Sequence, residues 1–305
     1  MKRDSFRLGV VHYVSYPDAI TGEGPIALTL EKVLSFRELQ AVEITWVKGT
    51  KQRAFVRALL ESWEGVVVYS GAPVLALSNM SLSSHKDDLR KDSVALAKRI
   101  IDDACYFGAS EALLISGPDP GKEKRDGAKA YLIESLLEIV DYAGTVNERL
   151  MVTIEPADRD IHRRQFIGPI SEAVEIVSAV RVHAPNFGLT IDMSHLAQLG
   201  ENKSKALHTA KGYFRHVHIA NAIIKNQGHS RFGDEHPRFG IEEGEHDQES
   251  ITDFLRELTQ IGFFQQDTSQ DQPIISIEVK PDKSEDPQAL LVESIKTFLT
   301  ACSMA

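Results

Sequence analysis

The sequence predicts a (β/α)8 barrel, the α/β fold in which eight strand–helix units close into one ring. Short runs rich in Val, Ile and Leu alternate with amphipathic segments along the 305 residues, as expected for parallel strands buried on both faces. Eight such units in about 300 residues fit a barrel better than an open doubly wound sheet. No Gly-x-Gly-x-x-Gly turn follows the first strand, and no change of composition marks a second domain. Residues 1–305 are therefore expected to form a single TIM-barrel domain.

The first half of the chain supplies four of the units. Strands are predicted at 7–14, 41–47, 65–69 and 112–116. Helices are predicted at 27–39, 51–63, 86–107 and 125–143. Gly108 follows the third of these helices, at the position where a glycine commonly ends a helix.

The second half supplies the other four units. Strands are predicted at 151–156, 188–192, 214–219 and 274–279. Helices are predicted at 171–183, 203–210, 251–261 and 288–299. An extended polar segment, 221–247, separates the seventh strand from its helix and is expected to act as a lid over the barrel mouth.

Composition excludes several classes of function. The formal net charge of −10 disfavours nucleic acid as a partner, because phosphate backbones require a local excess of Lys and Arg. The small basic clusters 122–125 and 162–164 are interpreted as solvated surface. Cys105 and Cys302 lie far apart with no nearby His, so neither a disulfide framework nor a thiolate zinc site is expected.

The hydropathy pattern predicts no membrane association. No apolar run approaches the length of a membrane span, and the first residues lead into a strand rather than into a signal sequence. A cytoplasmic location is therefore expected.

Four charged or ionisable residues interrupt the apolar strands near their carboxyl ends: Glu155, Asp192, His218 and Glu278 in strands 5, 6, 7 and 8. A charge inside a buried strand is costly unless it is paired or binds a metal. In barrel enzymes the functional residues lie at the carboxyl ends of the strands, where these four side chains converge. Three carboxylates and one imidazole suit one divalent ion, Mn²⁺, Mg²⁺, Co²⁺ or Zn²⁺, with positions left open for substrate.

Other residues are expected near this site. His195 follows Asp192 by one helical turn, and Asp234 and His236 form an Asp-x-His element in the polar loop. His216 shares a face of strand 7 with His218, which is preferred as the ligand because it lies nearer the carboxyl end. Lys280, two residues beyond Glu278, is a further candidate for substrate binding.

The chain resembles the sugar-phosphate isomerase/epimerase family of xylose-isomerase-like barrels and, more distantly, the endonuclease IV group. The motifs that carry the resemblance are Ile154-Glu-Pro156, Asp192-Met-Ser-His195, His216-Val-His218-Ile-Ala-Asn221, Gly233-Asp-Glu-His236 with Gly240 to Gly244, and Ile277-Glu-Val-Lys280. The resemblance implies that Glu155, Asp192, His218 and Glu278 match the metal ligands of the ketose epimerases. It implies that His195 matches a histidine that contacts substrate.

Two departures from these families matter. Endonuclease IV relatives hold three zinc ions with the help of histidines after strands 3 and 4, and residues 68–73 and 113–119 contain none. A trinuclear nuclease is therefore disfavoured, and Asp234 and His236 are expected to contact substrate or to support His218. The ketose epimerases also carry a second Glu six residues after the first ligand, where this chain has Ile161. Asp158, Arg159, Asp160 or His162 are the candidates to replace it.

These features predict a metal-dependent isomerase or epimerase of a sugar, sugar phosphate or related ketone. Glu155 and Glu278 would exchange protons with the substrate through a metal-stabilised enediolate, while His195 orients a substrate oxygen. A dehydratase or lyase begins with the same proton abstraction, and a non-catalytic sugar-binding barrel would keep the same ligands. Both remain open, and a nuclease is the least favoured. The expected partner is a small carbohydrate, and because barrels of this type often pair, a homo-oligomer is among the expected states.

Overall fold

A computed structural model describes residues 3–265 and 272–305 of the chain. Eight parallel strands form one sheet in the order β1-β8-β7-β6-β5-β4-β3-β2. The strands are β1 (Arg7–Val10), β2 (Ala41–Ile44), β3 (Val66–Ser70), β4 (Glu111–Leu114), β5 (Met151–Ile154), β6 (Phe187–Asp192), β7 (Phe214–Ala220) and β8 (Ile274–Glu278). A parallel bridge between Val11 and Glu43 joins the first strand to the second, and the sheet thereby closes as a barrel. The predicted (β/α)8 fold is confirmed.

Helices follow the strands and surround the barrel. They are α1 (His12–Ser15), α2 (Ile26–Leu34), α3 (Thr50–Glu61), α4 (Ala72–Leu77), α5 (Asp87–Tyr106), α6 (Arg125–Val146), α7 (Ile170–Arg181), α8 (Met193–Gln198), α9 (Lys203–Ala210), α10 (Gln248–Gln260) and α11 (Pro287–Met304). Short 3-10 turns occupy Arg3–Ser5, Pro17–Ala19, Lys122–Lys124 and Phe263–Gln265. Within the described residues, no helix combines the length and the apolarity needed to cross a bilayer.

The predicted first strand, 7–14, is too long by one helical turn. The chain leaves the sheet after Val10, and His12–Ser15 forms α1 at the barrel mouth. Tertiary contacts hold this turn, because the Tyr13 hydroxyl donates to Ser70 Oγ at 2.8 Å and His12 Nε2 lies 2.9 Å from Thr29 Oγ1. The run of apolar residues in the sequence predicts a longer strand because it carries no information about these two contacts.

The interior of the barrel contains a polar layer as well as aliphatic side chains. Hydroxyl groups of Thr153 and Thr190 donate to Glu111 Oε1, at 2.9 and 3.2 Å. His216 Nδ1 lies 2.9 Å from the same oxygen, and its Nε2 lies 3.0 Å from Ser276 Oγ. These contacts compensate the charge of Glu111 inside the barrel.

Candidate metal centre and active site

The four strand-end residues come together at one mouth of the barrel. Asp192 ends β6, His218 lies in β7 and Glu278 ends β8, while Glu155 directly follows β5. The sheet register places Asp192 beside His218. All four are buried, and one ligand atom from each lies within 4.8 Å of those of the others.

His218 is central to this group. Its Nδ1 atom lies 2.9 Å from Glu278 Oε2 and 3.2 Å from Glu155 Oε1. Neither contact has the alignment of a hydrogen bond, and Asp192 Oδ2 is likewise buried without a hydrogen-bond partner. Buried polar atoms normally have partners. Three carboxylates and one imidazole whose ligand atoms lie this close together, with Asp192 Oδ2 and His218 Nδ1 lacking partners, are a donor set that fits a divalent cation.

Burial and the neighbouring charges shift the pKa of Asp192. Burial raises its pKa, and the negative charges of Glu278 and Glu155 add to that effect, while His195 and His236 oppose it; the resulting pKa is about 6. A carboxyl whose pKa is raised by burial and further by neighbouring carboxylates belongs to a site that gains from a bound cation.

His195 reaches the site through a helix that Asp192 itself begins. Asp192 caps α8 by accepting the backbone N–H of Ser194 at 2.6 Å. This places His195 Nε2 3.8 Å from both Asp192 Oδ2 and Glu155 Oε1. Burial alone would lower the pKa of His195, but the carboxylates of Asp234, Asp192 and Glu155 raise it to about 9.

Asp234 and His236 bring the polar loop into the same cluster. His236 Nε2 lies 3.2 Å from Asp234 Oδ1 and 3.5 Å from Glu278 Oε1. Asp234 Oδ1 lies 3.6 Å from His195 Nδ1, and its other oxygen accepts from Arg163 Nε. His236 therefore neighbours Glu278 rather than supporting His218.

Arg163 departs from its interpretation as solvated surface. Its side chain is half-exposed, but its guanidinium pairs with the buried Asp234 at the barrel mouth. The adjacent His162 accepts the backbone N–H of Asp234 through Nδ1 at 2.9 Å. The cluster 162–164 thus fixes the loop that carries Asp234.

A cavity of about 140 Å³ opens onto the cluster. Its apolar lining residues include Val14, Ile20, Leu77 and Ile115. Its ionisable lining residues include Glu155, Arg163, His195, Asp234, His236 and Glu278. Among the residues that line this cavity, Arg163 is the one Lys or Arg, and it is already paired with Asp234.

Two groups of expected contacts lie elsewhere. Lys280 does not line the cavity; its ammonium group pairs with Glu235. In the 158–162 segment, Asp158 accepts backbone N–H groups of its own loop, and Arg159 pairs with Glu172. From this loop, Ala157, Arg163 and Gln165 reach the cavity instead.

The sequence-based search missed Glu43. It lies in β2, fully buried, and its Oε1 is 3.0 Å from the Nε2 atoms of both His216 and His218. The sequence pattern that could have identified Glu43 is the one that identified the four strand-end residues, an ionisable residue inside an apolar strand. Glu111, at the start of β4, carries the same signal and contacts His216.

Comparison with protein families assigns the chain. The family described as xylose isomerase-like TIM barrel matches residues 38–302. The protein belongs to this family, in agreement with the resemblance that the motifs indicate. Among curated proteins, none matches the chain.

Solved structures show the same fold at low sequence identity. A D-tagatose 3-epimerase-like protein is 19% identical with a TM-score of 0.73, and the alignment covers 98% of this chain and 97% of that one. An L-ribulose 3-epimerase is 15% identical with a TM-score of 0.70 over 98% and 96%. The IOLI protein, solved with a bound zinc atom, is 15% identical with a TM-score of 0.68 over 97% and 96%. Sugar epimerases thus recur among the structural neighbours.

Proposed function

We propose that the protein is a divalent-metal-dependent isomerase or epimerase of a small carbohydrate or related hydroxyketone. The observation that carries the proposal is the buried group of Glu155, Asp192, His218 and Glu278, whose ligand atoms lie within 4.8 Å of one another and of which Glu155 and Glu278 line the cavity. The epimerase neighbours support the choice of chemistry, and the zinc-bound neighbour supports the choice of a metal.

In this proposal the four side chains hold one ion, Mn²⁺, Mg²⁺, Co²⁺ or Zn²⁺. Such an ion would supply positive charge to a substrate carbonyl, which would acidify the C–H bond on the adjacent carbon that carries a hydroxyl. Glu155 and Glu278 both contact His218 Nδ1 and both line the cavity. In this proposal they remove a proton from the substrate carbon and return one to it.

Protonation of the surrounding groups suits this role. Burial alone would raise the pKa of Glu278, but His236 and His218 hold it below its usual value, so this residue is ionised, as a metal ligand and a proton acceptor must be. His195, with a pKa raised to about 9, can donate a hydrogen bond to a substrate oxygen. His236 and Asp234 line the same cavity and are proposed as further contacts to hydroxyl groups.

The proposed substrate is unphosphorylated. Phosphate sites in barrels are normally built from backbone N–H groups and cations beyond strands 7 and 8. Here the cationic side chain on the cavity wall, Arg163, is paired with Asp234, and Lys280 is paired with Glu235. The carboxylates of the cavity would also repel a phosphate.

Two measurements test the proposal. Metal analysis of purified protein is expected to find one divalent ion per chain in the wild type and much less in Glu155→Gln. Incubation with a pool of ketoses in deuterated water is expected to label the carbon next to a carbonyl. Glu293→Gln, a change at an exposed position of α11, is the matched control for both.

Other outcomes would redirect the assignment. Equal metal content in the wild type and Glu155→Gln, at background level, would remove the metal centre. Label incorporation with loss of water would indicate a dehydratase, and sugar binding without exchange would indicate a binding protein. Cleavage of abasic DNA that weakens with salt would restore the nuclease.

A further inference from the structure

Below the four proposed ligands, the barrel interior holds a carboxylate to which the mechanism above gives no role. Glu43 is fully buried in β2 and is not among the residues that line the cavity. Its Oε1 atom lies 3.0 Å from His218 Nε2. The two ring nitrogens of His218 thus face different partners, Nδ1 toward Glu155 and Glu278 and Nε2 toward Glu43.

Glu43 is itself held from below. The same Oε1 atom lies 3.0 Å from His216 Nε2, and His216 Nδ1 lies 2.9 Å from Glu111. Threonine hydroxyls on β5 and β6 donate to that Glu111 oxygen. Carboxylates and imidazoles therefore alternate along the barrel interior, from Glu111 through His216 and Glu43 to His218. A buried carboxylate persists only when such partners compensate its charge.

A second ion between Glu43, His216 and His218 would be the other way to satisfy these groups. The two 3.0 Å separations are short enough for direct contact, although neither pair has the alignment of a hydrogen bond. His216 also has Glu111 and Ser276 as partners for its two nitrogens. Direct contact between Glu43 and the histidines is therefore favoured.

We propose that Glu43 is the positioning residue of the metal centre. Its carboxylate keeps the proton of His218 on Nε2 and fixes the ring, so that the lone pair of Nδ1 points at the site formed with Glu155, Asp192 and Glu278. Carboxylate partners on the outer nitrogen of a ligating histidine orient the ring and strengthen its binding. The inference rests on the proposed function in one respect, the role of His218 as a ligand.

The test measures metal affinity rather than turnover. Apo-protein is titrated with Zn²⁺ or Mn²⁺ in competition with a chelating dye, for the wild type, Glu43→Gln and Glu111→Gln. Glu111 belongs to the same interior group but contacts His216 and not His218. We expect Glu43→Gln to raise the Kd about 10- to 100-fold, and Glu111→Gln to raise it much less. The absorption bands of the Co²⁺-loaded protein should shift in Glu43→Gln, since the geometry of His218 changes.

Thermal unfolding of the apo-proteins separates positioning from simple damage to the fold. If Glu43→Gln fails to fold, Glu43→Asp takes its place, with an expected rise in Kd of several-fold because the shorter side chain withdraws the carboxylate. Equal Kd values for the wild type and the Glu43 variant overturn the inference. It is also overturned if Glu111→Gln weakens metal binding as much as the Glu43 variant does. Binding of two ions by the wild type and one by the variant overturns it in favour of a second metal site. A wild type that binds no ion overturns both this inference and the proposed function. If metal binding depends on Glu43 but no ketose exchanges a proton, only the proposed function is overturned.

Discussion

The Nδ1 atom of His218 lies 2.9 Å from Oε2 of Glu278, and yet the two make no aligned hydrogen bond inside a closed barrel. A buried imidazole nitrogen and a buried carboxylate oxygen normally satisfy each other. Their misalignment, together with the convergence of Glu155 and Asp192 on the same point, is what a cation between them would explain. The first two predictions concern this relationship.

Divalent metal should stabilise the folded protein. At a free ion concentration of about 100 times the Kd, binding contributes about 2.7 kcal/mol, which corresponds to a rise in Tm of several degrees for a chain of this size. Thermal unfolding with a chelator and with added Mn²⁺ or Zn²⁺ measures the difference. Asp192→Asn should greatly reduce the rise, because an amide is a weaker ligand but can still cap α8 by accepting the Ser194 N–H. An undiminished shift in Asp192→Asn would contradict the assignment of this ligand.

Glu278→Gln should abolish proton exchange. The change removes both a ligand and a proposed base, so kcat/KM is expected to fall by at least 10²- to 10⁴-fold, about the contribution of general acid–base catalysis. Deuterium incorporation into a ketose that the wild type labels measures the effect. Glu293→Gln should exchange at the wild-type rate. A Glu278→Gln enzyme with more than a tenth of the wild-type rate would show that the base lies elsewhere.

Gly233→Ala should damage both stability and substrate affinity. Gly233 has φ +88°, and a Cβ there would lie 2.8 Å from the Cβ of His162. Relief of this strain, about 1–3 kcal/mol, must move the segment that carries Asp234 and His236. We expect a lower Tm and a higher KM with a smaller change in kcat. Gly228→Ala is the matched control, since that glycine lies in the same loop without a positive φ; equal effects of the two changes would argue against a specific role for the turn.

Stability should fall below about pH 6.5, partly because of His12. Burial lowers the pKa of His12 to about 4, whereas the unfolded chain titrates near 6.5. Between these values the unfolded state binds more protons, so the contribution of His12 is complete above about pH 6.5 and is lost as the pH falls toward 4. The full loss is about 3 kcal/mol. Urea unfolding across this range measures the free energy of unfolding, which should depend less steeply on pH in His12→Gln than in the wild type. The same slope in both proteins would refute the prediction.

The sequence by itself determined the fold class and the four strand-end residues. The strands could be recognised because a parallel barrel buries both of their faces, which leaves continuous runs of Val, Ile and Leu. Glu155, Asp192, His218 and Glu278 stood out for the same reason, since a charge in such a run needs a partner. Element ends were less accurate, as at α1, because the contacts that hold that turn come from residues far away in the chain.

Only the tertiary structure decided which polar residues meet. Arg163 looked like part of a solvated basic cluster, and its pairing with Asp234 joins residues 71 positions apart. Lys280 is two residues from Glu278, but its ammonium group pairs with Glu235 outside the cavity. Glu43 and Glu111 carry the same local signal as the strand-end residues, and their contacts with His216 and His218 depend on strands that closure of the barrel brings together. Periodicity reports which face of a strand is buried, whereas the partner of a buried charge is fixed by the packing of the whole ring.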